Sequence, residues 1–169
     1  MITCRKMSAA DVTDAFEMLR VFLREDEHYL ASSEAYGDRG FQGLNDALDL
    51  FLEQPELGFV WLAYDDQGAA GVCVVCYAIS TSMGAVVAKL DDVSVKMDRR
   101  GTGVGTALLE QLKEQLRKEA VTRIIWRTTT SPSRTTGLGS ILPTARIAAC
   151  GGLMTAVNVV TPYMPRFVI

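Results

Sequence analysis

The chain has 169 residues, 49% of them hydrophobic and 22% charged, with a formal net charge of −3. That length supports one domain with a single core, and the apolar share excludes an intrinsically disordered chain. The acidic balance argues against nucleic acid as a partner, because a phosphate backbone rewards a basic surface. Nothing in the opening "MITCRKMSAADV" supplies an apolar signal core, and no apolar run is long enough to span a bilayer. The expectation is a cytoplasmic protein that does not engage membranes.

Ser8 followed by Asp11 has the pattern of a helix start, with a capping hydroxyl and an acid near the positive end of the dipole. Val12, Phe16, Leu19 and Leu23 then recur at helical spacing. "REDEHYLASSEAYGDRG" breaks that spacing and reads as a polar loop. Leu44, Leu48, Phe51 and Leu52 mark a second amphipathic helix, which ends before Pro55. "FVWLAY", "AAGVCVVCYAIS" and "AVVAKLDDVSV" read as three strands, joined by the short turns "DDQG" and "TSMG", which predicts an antiparallel meander. Helical periodicity returns with Val104, Leu108, Leu112 and Leu116, with Glu110, Lys113, Glu114 and Lys118 on the wet side. "VTRIIWR" predicts one more strand. The expected order is ααβββαβ, an α/β fold with a mixed, mostly antiparallel central sheet flanked by helices.

Four cysteines, Cys4, Cys73, Cys76 and Cys150, make no convincing framework. Cys73 and Cys76 have C-x-x-C spacing, but an offset of three along a strand sends side chains to opposite faces. That suits neither a metal nor a disulfide, so the expectation is buried, reduced thiols and no metal site.

The densest chemical signal is "DRRGTGVGTALLEQL", between the strand "LDDVSV" and the third helix. Backbone amides at a helix start carry partial positive charge and attract anions. Gly101, Gly103 and Gly105 remove side chains that would hold a phosphate away, while Arg99 and Arg100 add charge and fork-like donors. A P-loop would need Gly-Lys-Ser/Thr, but Gly105 is followed by Thr106 and Ala107. A dinucleotide fingerprint would need glycine where Thr106 stands, and would begin a βαβ unit rather than follow a meander.

The pattern that does fit is R-x-x-G-x-G, Arg100-Gly101-Thr102-Gly103-Val104-Gly105, after an L-x-x-V-x-V strand and before an "ALL-x-x-L" helix. In this combination the chain resembles the GCN5-related N-acetyltransferase (GNAT) superfamily over about Ser8 to Trp126. The resemblance implies that the loop amides from Arg99 through Arg100, Gly101, Thr102, Gly103, Val104 and Gly105 to Thr106 bind the pyrophosphate of coenzyme A. It also implies that the strand around Val93, Ser94 and Val95, splayed from its neighbour, holds the acetyl-pantetheine arm through Val93 and Val95. The implied activity is direct transfer of acetyl from acetyl-CoA, a co-substrate, to a primary amine of a small molecule or peptide. Dimers are common in the family. Such transfer requires that the amine lose its proton, that a developing oxyanion find donors and that the leaving thiolate gain a proton. The thioester is already activated, so no nucleophilic side chain or metal is needed.

Asp91 and Asp92 are the candidate bases, since related enzymes often carry an acid on this strand and a low-dielectric cleft raises a carboxylate's pKa. Strand alternation places Asp91 on the face of Val93 and Val95 and Asp92 on the opposite one. Both carboxylates also suit a structural or solvated role. His28 is the lone histidine. With Glu25, Asp26 and Glu27 it either lines an acceptor wall for a cationic amine or ends the first helix in solvent. Two other functions fit the residues: a non-catalytic or degenerate acyl-CoA-binding domain, and a nucleotide-phosphate module indifferent to coenzyme A.

The chain reads as one domain, 1–169, in which residues 1–127 follow the family pattern and 128–169 do not. Family members continue with N-x-x-A-x-x-F-Y-x-x-x-G-F, whose Asn contacts pantetheine and whose Tyr protonates the thiolate. Here stands "TTTSPSRTTGLGSILPTARIAACGG", with Tyr163 the one tyrosine downstream. All 20 acidic residues lie upstream of Arg127. A frameshift near Thr128 to Arg134 accounts for both losses, and codons around Ser140 and Ile141 permit Phe-Tyr in a shifted frame. A divergent, native terminus is the alternative. Sequencing the gene separates them: an intact family motif in another frame supports the shift, and its absence refutes it.

Overall fold

Apolar residues on both sides of the central strands require cover on both faces of the sheet, and the helices supply it. The computed structural model of the chain describes residues 1–25 and 39–126. In chain order these form β1 (Thr3–Lys6), a 3-10 turn at Ala9–Asp11, α1 (Val12–Glu25) and α2 (Gly40–Glu53). There follow β2 (Gly58–Asp65), β3 (Gly68–Ser80), β4 (Ala85–Val95), a 3-10 turn at Met97–Arg99, α3 (Val104–Lys118) and β5 (Ile124–Trp126). One five-stranded sheet has the order β1-β2-β3-β4-β5. Its first three pairings are antiparallel and β4–β5 is parallel. The meander and the α/β class agree with expectation.

β1 is an addition that sequence patterning does not mark. "TCRK" has no apolar alternation, and the strand exists because β2 pairs with it, Thr3 opposite Tyr64 through Lys6 opposite Trp61. Its outer edge is closed by a side chain: Cys4 N–H donates to Gln111 Oε1 at 3.0 Å, and Gln111 Nε2 donates to the Ile2 carbonyl at 3.2 Å. An exposed row of strand amides is thereby partly sealed.

On one face Val104, Leu108, Leu112 and Leu116 of α3, the spacing read from the sequence, pack on Trp61, Ala63, Cys73, Val75, Ala88, Leu90 and Val95. On the other, Ala15, Met18 and Leu19 of α1 and Leu48 of α2 pack on Val60, Leu62, Val72 and Val74. Leu108, Leu112 and Leu116 are fully buried, each stabilising the fold by roughly 1.5–3 kcal/mol. Trp61 Nε1–H donates to the Leu108 carbonyl at 3.1 Å and sets how far α3 slides along the sheet.

Two β-bulges interrupt this order. Tyr64 lies opposite Ala69 and Ala63 opposite Gly71, so Ala70 is an extra residue in β3. Cys73 lies opposite Val93 and Val75 opposite Leu90, so Asp91 and Asp92 together face the single Val74. A bulge bends its strand and breaks the alternation of faces.

The predicted helix start is present. The Ser8 backbone N–H and hydroxyl donate to Asp11 Oδ2 at 3.0 and 2.7 Å, and Asp11 N–H donates to the Ser8 carbonyl at 2.9 Å. Buried Asp11 also pairs with Arg5 at 2.7 Å and accepts from the Tyr64 hydroxyl at 3.0 Å, tying β1, α1 and β2 together. The Arg5 guanidinium, helped by Ser8 and Tyr64, holds the Asp11 carboxyl well below the usual carboxylate range. Its contribution to stability is therefore complete above the unfolded-state pKa of about 4 and is lost as pH falls below it. Asp11→Asn is expected to cost about 1–2 kcal/mol at pH 7, a modest figure because the Arg5 side chain is 55% exposed. The gap between the urea midpoints of wild type and variant should be narrower at pH 3 than at pH 7, and should close only as pH falls further toward the folded-state value; an undiminished gap at pH 3 would contradict the linkage.

Candidate active site

The strand–loop–helix connection after β4 opens outward. Gly101 and Gly103 have φ of +77° and +91°, a left-handed backbone that favours glycine, and nothing lies within 4 Å of where a Cβ would stand on either. Gly103 is the N-cap of α3 and no side chain caps it. The first return bond of the helix runs from Ala107 N–H to the Gly103 carbonyl at 3.0 Å. The amides of Val104, Gly105 and Thr106 therefore have no acceptor within the helix, and they stand at the positive end of its dipole. Thr102 closes the turn, its Oγ1 donating to the Arg99 carbonyl at 2.7 Å. Gly71 lets the helix start approach the sheet, since a Cβ there would sit 3.1 Å from Val104 Cγ1.

The end of β4 leads into this loop. β5 pairs with β4 at Ala88, Lys89 and Leu90, and no strand among the described residues pairs with 93–95 on that side. Lys96 N–H donates toward β3, to the Ala70 carbonyl at 3.0 Å. Backbone groups alternate in direction along a strand, so Val93 and Val95 aim theirs at the open edge. Consistent with this, the Val95 carbonyl accepts from Arg100 Nε at 3.3 Å. Ser94 lies elsewhere: it is buried and stands opposite Val72, in the layer of α1 and α2.

The two arginines have different surroundings. Arg100 is exposed beside the open edge. Arg99 is not a free cation, contrary to the expectation of a fork offered to an anion. Its Nε donates to Asp65 Oδ2 at 2.9 Å, Nη1 to Asp98 Oδ2 at 2.9 Å, and Nη2 to Gln67 Oε1. Asp65 and Gln67 come from the β2–β3 turn, and their one sequence signal is a polar hairpin. The Gln67 backbone N–H, with Arg99 behind it, lowers the Asp65 carboxyl below its usual range.

Asp91 and Asp92 sit at the β4 bulge, just past Leu90, which pairs with Trp126 of β5. Asp91 is exposed and pairs with Lys89 at 2.8 Å. Lys89 alternates with Ala88 and Leu90, which belong to the α3 layer, so Asp91 faces the α1–α2 side. The expectation that Asp91 shares a face with Val93 and Val95 is thus corrected, and the extra residue of the bulge is the reason. Asp92 is half-buried.

Cys73 packs in the α3 layer and Cys76 against the α1–α2 layer, so their side chains occupy opposite faces as expected. Full burial is corrected, however: Cys73 is buried while Cys4 and Cys76 are half-buried. Burial pushes the thiols of all three up, Cys4 to about 11. His28, Asp26, Glu27, Cys150, Tyr163, the acid-free segment and the side chains of Leu23 and Glu25 lie outside the described residues.

The sequence matches the profile of the Acetyltransferase (GNAT) family over residues 16–138. The chain belongs to the GNAT acetyltransferase family. It is accordingly an N-acetyltransferase, of a family whose donor is acetyl-CoA. No curated protein matches the chain. Among solved structures, it is similar to an integron cassette protein from the mobile metagenome of Cole Harbour Salt Marsh, at 22% identity, covering 83% of this chain and 91% of that one with a TM-score of 0.58. An aminoglycoside acetyltransferase from an uncultured soil metagenomic sample matches at 18% identity, with 86% and 99% coverage and a TM-score of 0.57. A predicted acetyltransferase from Clostridium acetobutylicum, solved with acetyl-CoA, matches at 16% identity, with 75% and 80% coverage and a TM-score of 0.52. These likenesses are of fold. No helix among the described residues of this GNAT chain is long and apolar enough to cross a membrane.

Gly103→Val places a branched side chain at φ +91°, into the space before the helix amides. Calorimetry with coenzyme A should show affinity reduced at least about tenfold, from left-handed strain and blocked access together. Unchanged affinity would remove the loop from the binding site.

Proposed function

We propose that this enzyme moves acetyl from acetyl-CoA directly to a primary amine, on a small molecule or a peptide. One observation carries the reading: the open edge of β4 at Val93 and Val95 runs straight into the uncapped, glycine-lined start of α3. Acetyl-CoA supplies an acyl group already activated as a thioester. In this reading the amides from Arg100 to Thr106 hold its pyrophosphate, with the exposed Arg100 adding charge. The backbone of Val93 and Val95 holds the pantetheine arm as a neighbouring strand would.

Direct transfer fits the thiols. Cys73, opposite Val93, and Cys76 are the cysteines nearest the bulge in register, and burial keeps both protonated and poorly nucleophilic. Proton removal from the amine falls to Asp92. It stands half-buried beside Val93, whereas the Asp91 carboxylate is exposed. A carboxylate shielded from water at the edge where the arm would lie is the better base.

Thiol release from acetyl-CoA over a panel of primary amines tests this assignment. Asp92→Asn is expected to lower kcat about 100-fold with coenzyme affinity retained, and Asp91→Asn to change it less than about threefold. Equal effects at both positions, or none at Asp92, would move the base elsewhere. Coenzyme binding without turnover on any amine would favour the non-catalytic acyl-CoA-binding alternative.

A further inference from the structure

The β2–β3 turn has no part in the chemistry described above, yet it grips the loop that does. Asp65 uses one carboxylate oxygen for its own turn, accepting Gln67 N–H at 2.8 Å, and the other for Arg99. Both side chains are shielded, 12% exposed for Asp65 and 22% for Arg99. The grip passes inward through the backbone, because the Arg99 carbonyl accepts the Thr102 hydroxyl and, at 3.4 Å, the Thr102 N–H. Thr102 lies between the two left-handed glycines. The other end of the same 3-10 turn is tied to the same hairpin, since the Lys96 N–H bonds the carbonyl of Ala70, the bulged residue of β3.

We propose that Asp65 and Gln67 are positioning residues for the donor loop, acting through Arg99. Glycines at 101 and 103 allow the loop many conformations, and a ligand that had to order them would bind less well. Clamping Arg99 removes that freedom before the donor arrives. The arginine beside the motif serves the hairpin, and Arg100 alone of the two serves the anion. This inference rests on the donor-site reading above, and its test separates the two.

Coenzyme A binding is measured by calorimetry, and acetyl-CoA kinetics by thiol release, for the wild type, Asp65→Asn, Arg99→Met and the double variant. Asparagine keeps an acceptor for Gln67 N–H while removing the ion pair. Each single variant should weaken coenzyme binding about tenfold and raise KM for acetyl-CoA with kcat retained. The double should be no worse than either single, because the two residues act as one unit. An Asp65→Asn protein with wild-type affinity overturns the proposal. So does loss confined to Arg99→Met, which would make Arg99 a direct ligand. Amide hydrogen exchange at residues 97–103 gives a readout that needs no ligand: it should quicken about tenfold in Asp65→Asn, and unchanged exchange overturns the clamp. A wild type that binds no coenzyme refutes the donor-site reading, leaving exchange to decide the clamp. If Asp65→Asn lowers the thermal midpoint by more than a few degrees, Arg99→Lys, which keeps the charge without the fork, takes its place with an intermediate loss expected.

Discussion

β4 has a strand on both sides through Leu90, and among the described residues a strand on one side only from Val93 to Val95. The proposed donor site lies along that stretch and the loop beyond it. Strand amides and carbonyls without a partner are costly to bury, so a strand that loses its neighbour needs water, a side chain or a ligand in its place. Here Arg100 already takes the Val95 carbonyl. The bulge at Asp91 and Asp92 stands just past the residues that pair with β5 and alters the direction of the strand there. In the proposed function, the pantetheine arm takes up the strand groups at Val93 and Val95.

An open edge is useful only if the helix beyond it is held still. α3 is anchored along its whole length by contacts distant in sequence. Near its start Gly71 admits Val104, at its middle Trp61 bonds the Leu108 carbonyl, and Gln111 bridges to β1. Just past its end Glu119 accepts from the Tyr77 hydroxyl at 2.7 Å and pairs with Lys6 at 2.6 Å. The amides at the helix start are thus fixed in direction by apolar packing and polar contacts several turns away. Fixed dipoles interact with a charged ligand without first being reoriented.

The fold persists in structures that share 16 to 22% identity with this chain. Two-sided burial explains the tolerance: strands and helices need apolar residues of suitable size at the right period, and many sequences meet that condition. The glycine loop is less permissive, because positive φ at 101 and 103 asks for particular residues. A short loop pattern can therefore identify a family whose cores have diverged. Which amine is acetylated depends on side chains that the fold does not prescribe.

Local physics made much of this protein readable from its residues. The periodicity of α3, the apolar runs of β2 and β3, the Ser8–Asp11 start and the glycine loop each depend on neighbours within a few positions. Cys73 and Cys76 could be sent to opposite faces for the same reason. What could not be read depends on partners far away. β1 is a strand because β2 and Gln111 complete it, and "TCRK" alone carries no such signal. Asp91 changes face because an added residue in β4 shifts the count, and a bulge is visible only when the partner strand is in place. Arg99 reads as a cation awaiting an anion, but the Asp65 that neutralises it lies 34 residues earlier. Sequence alone determined which groups the chain possesses and which lie together along it, because backbone preference and periodicity are short-range. Tertiary structure decided which charges remain available, because neutralisation and burial depend on residues that only folding brings together.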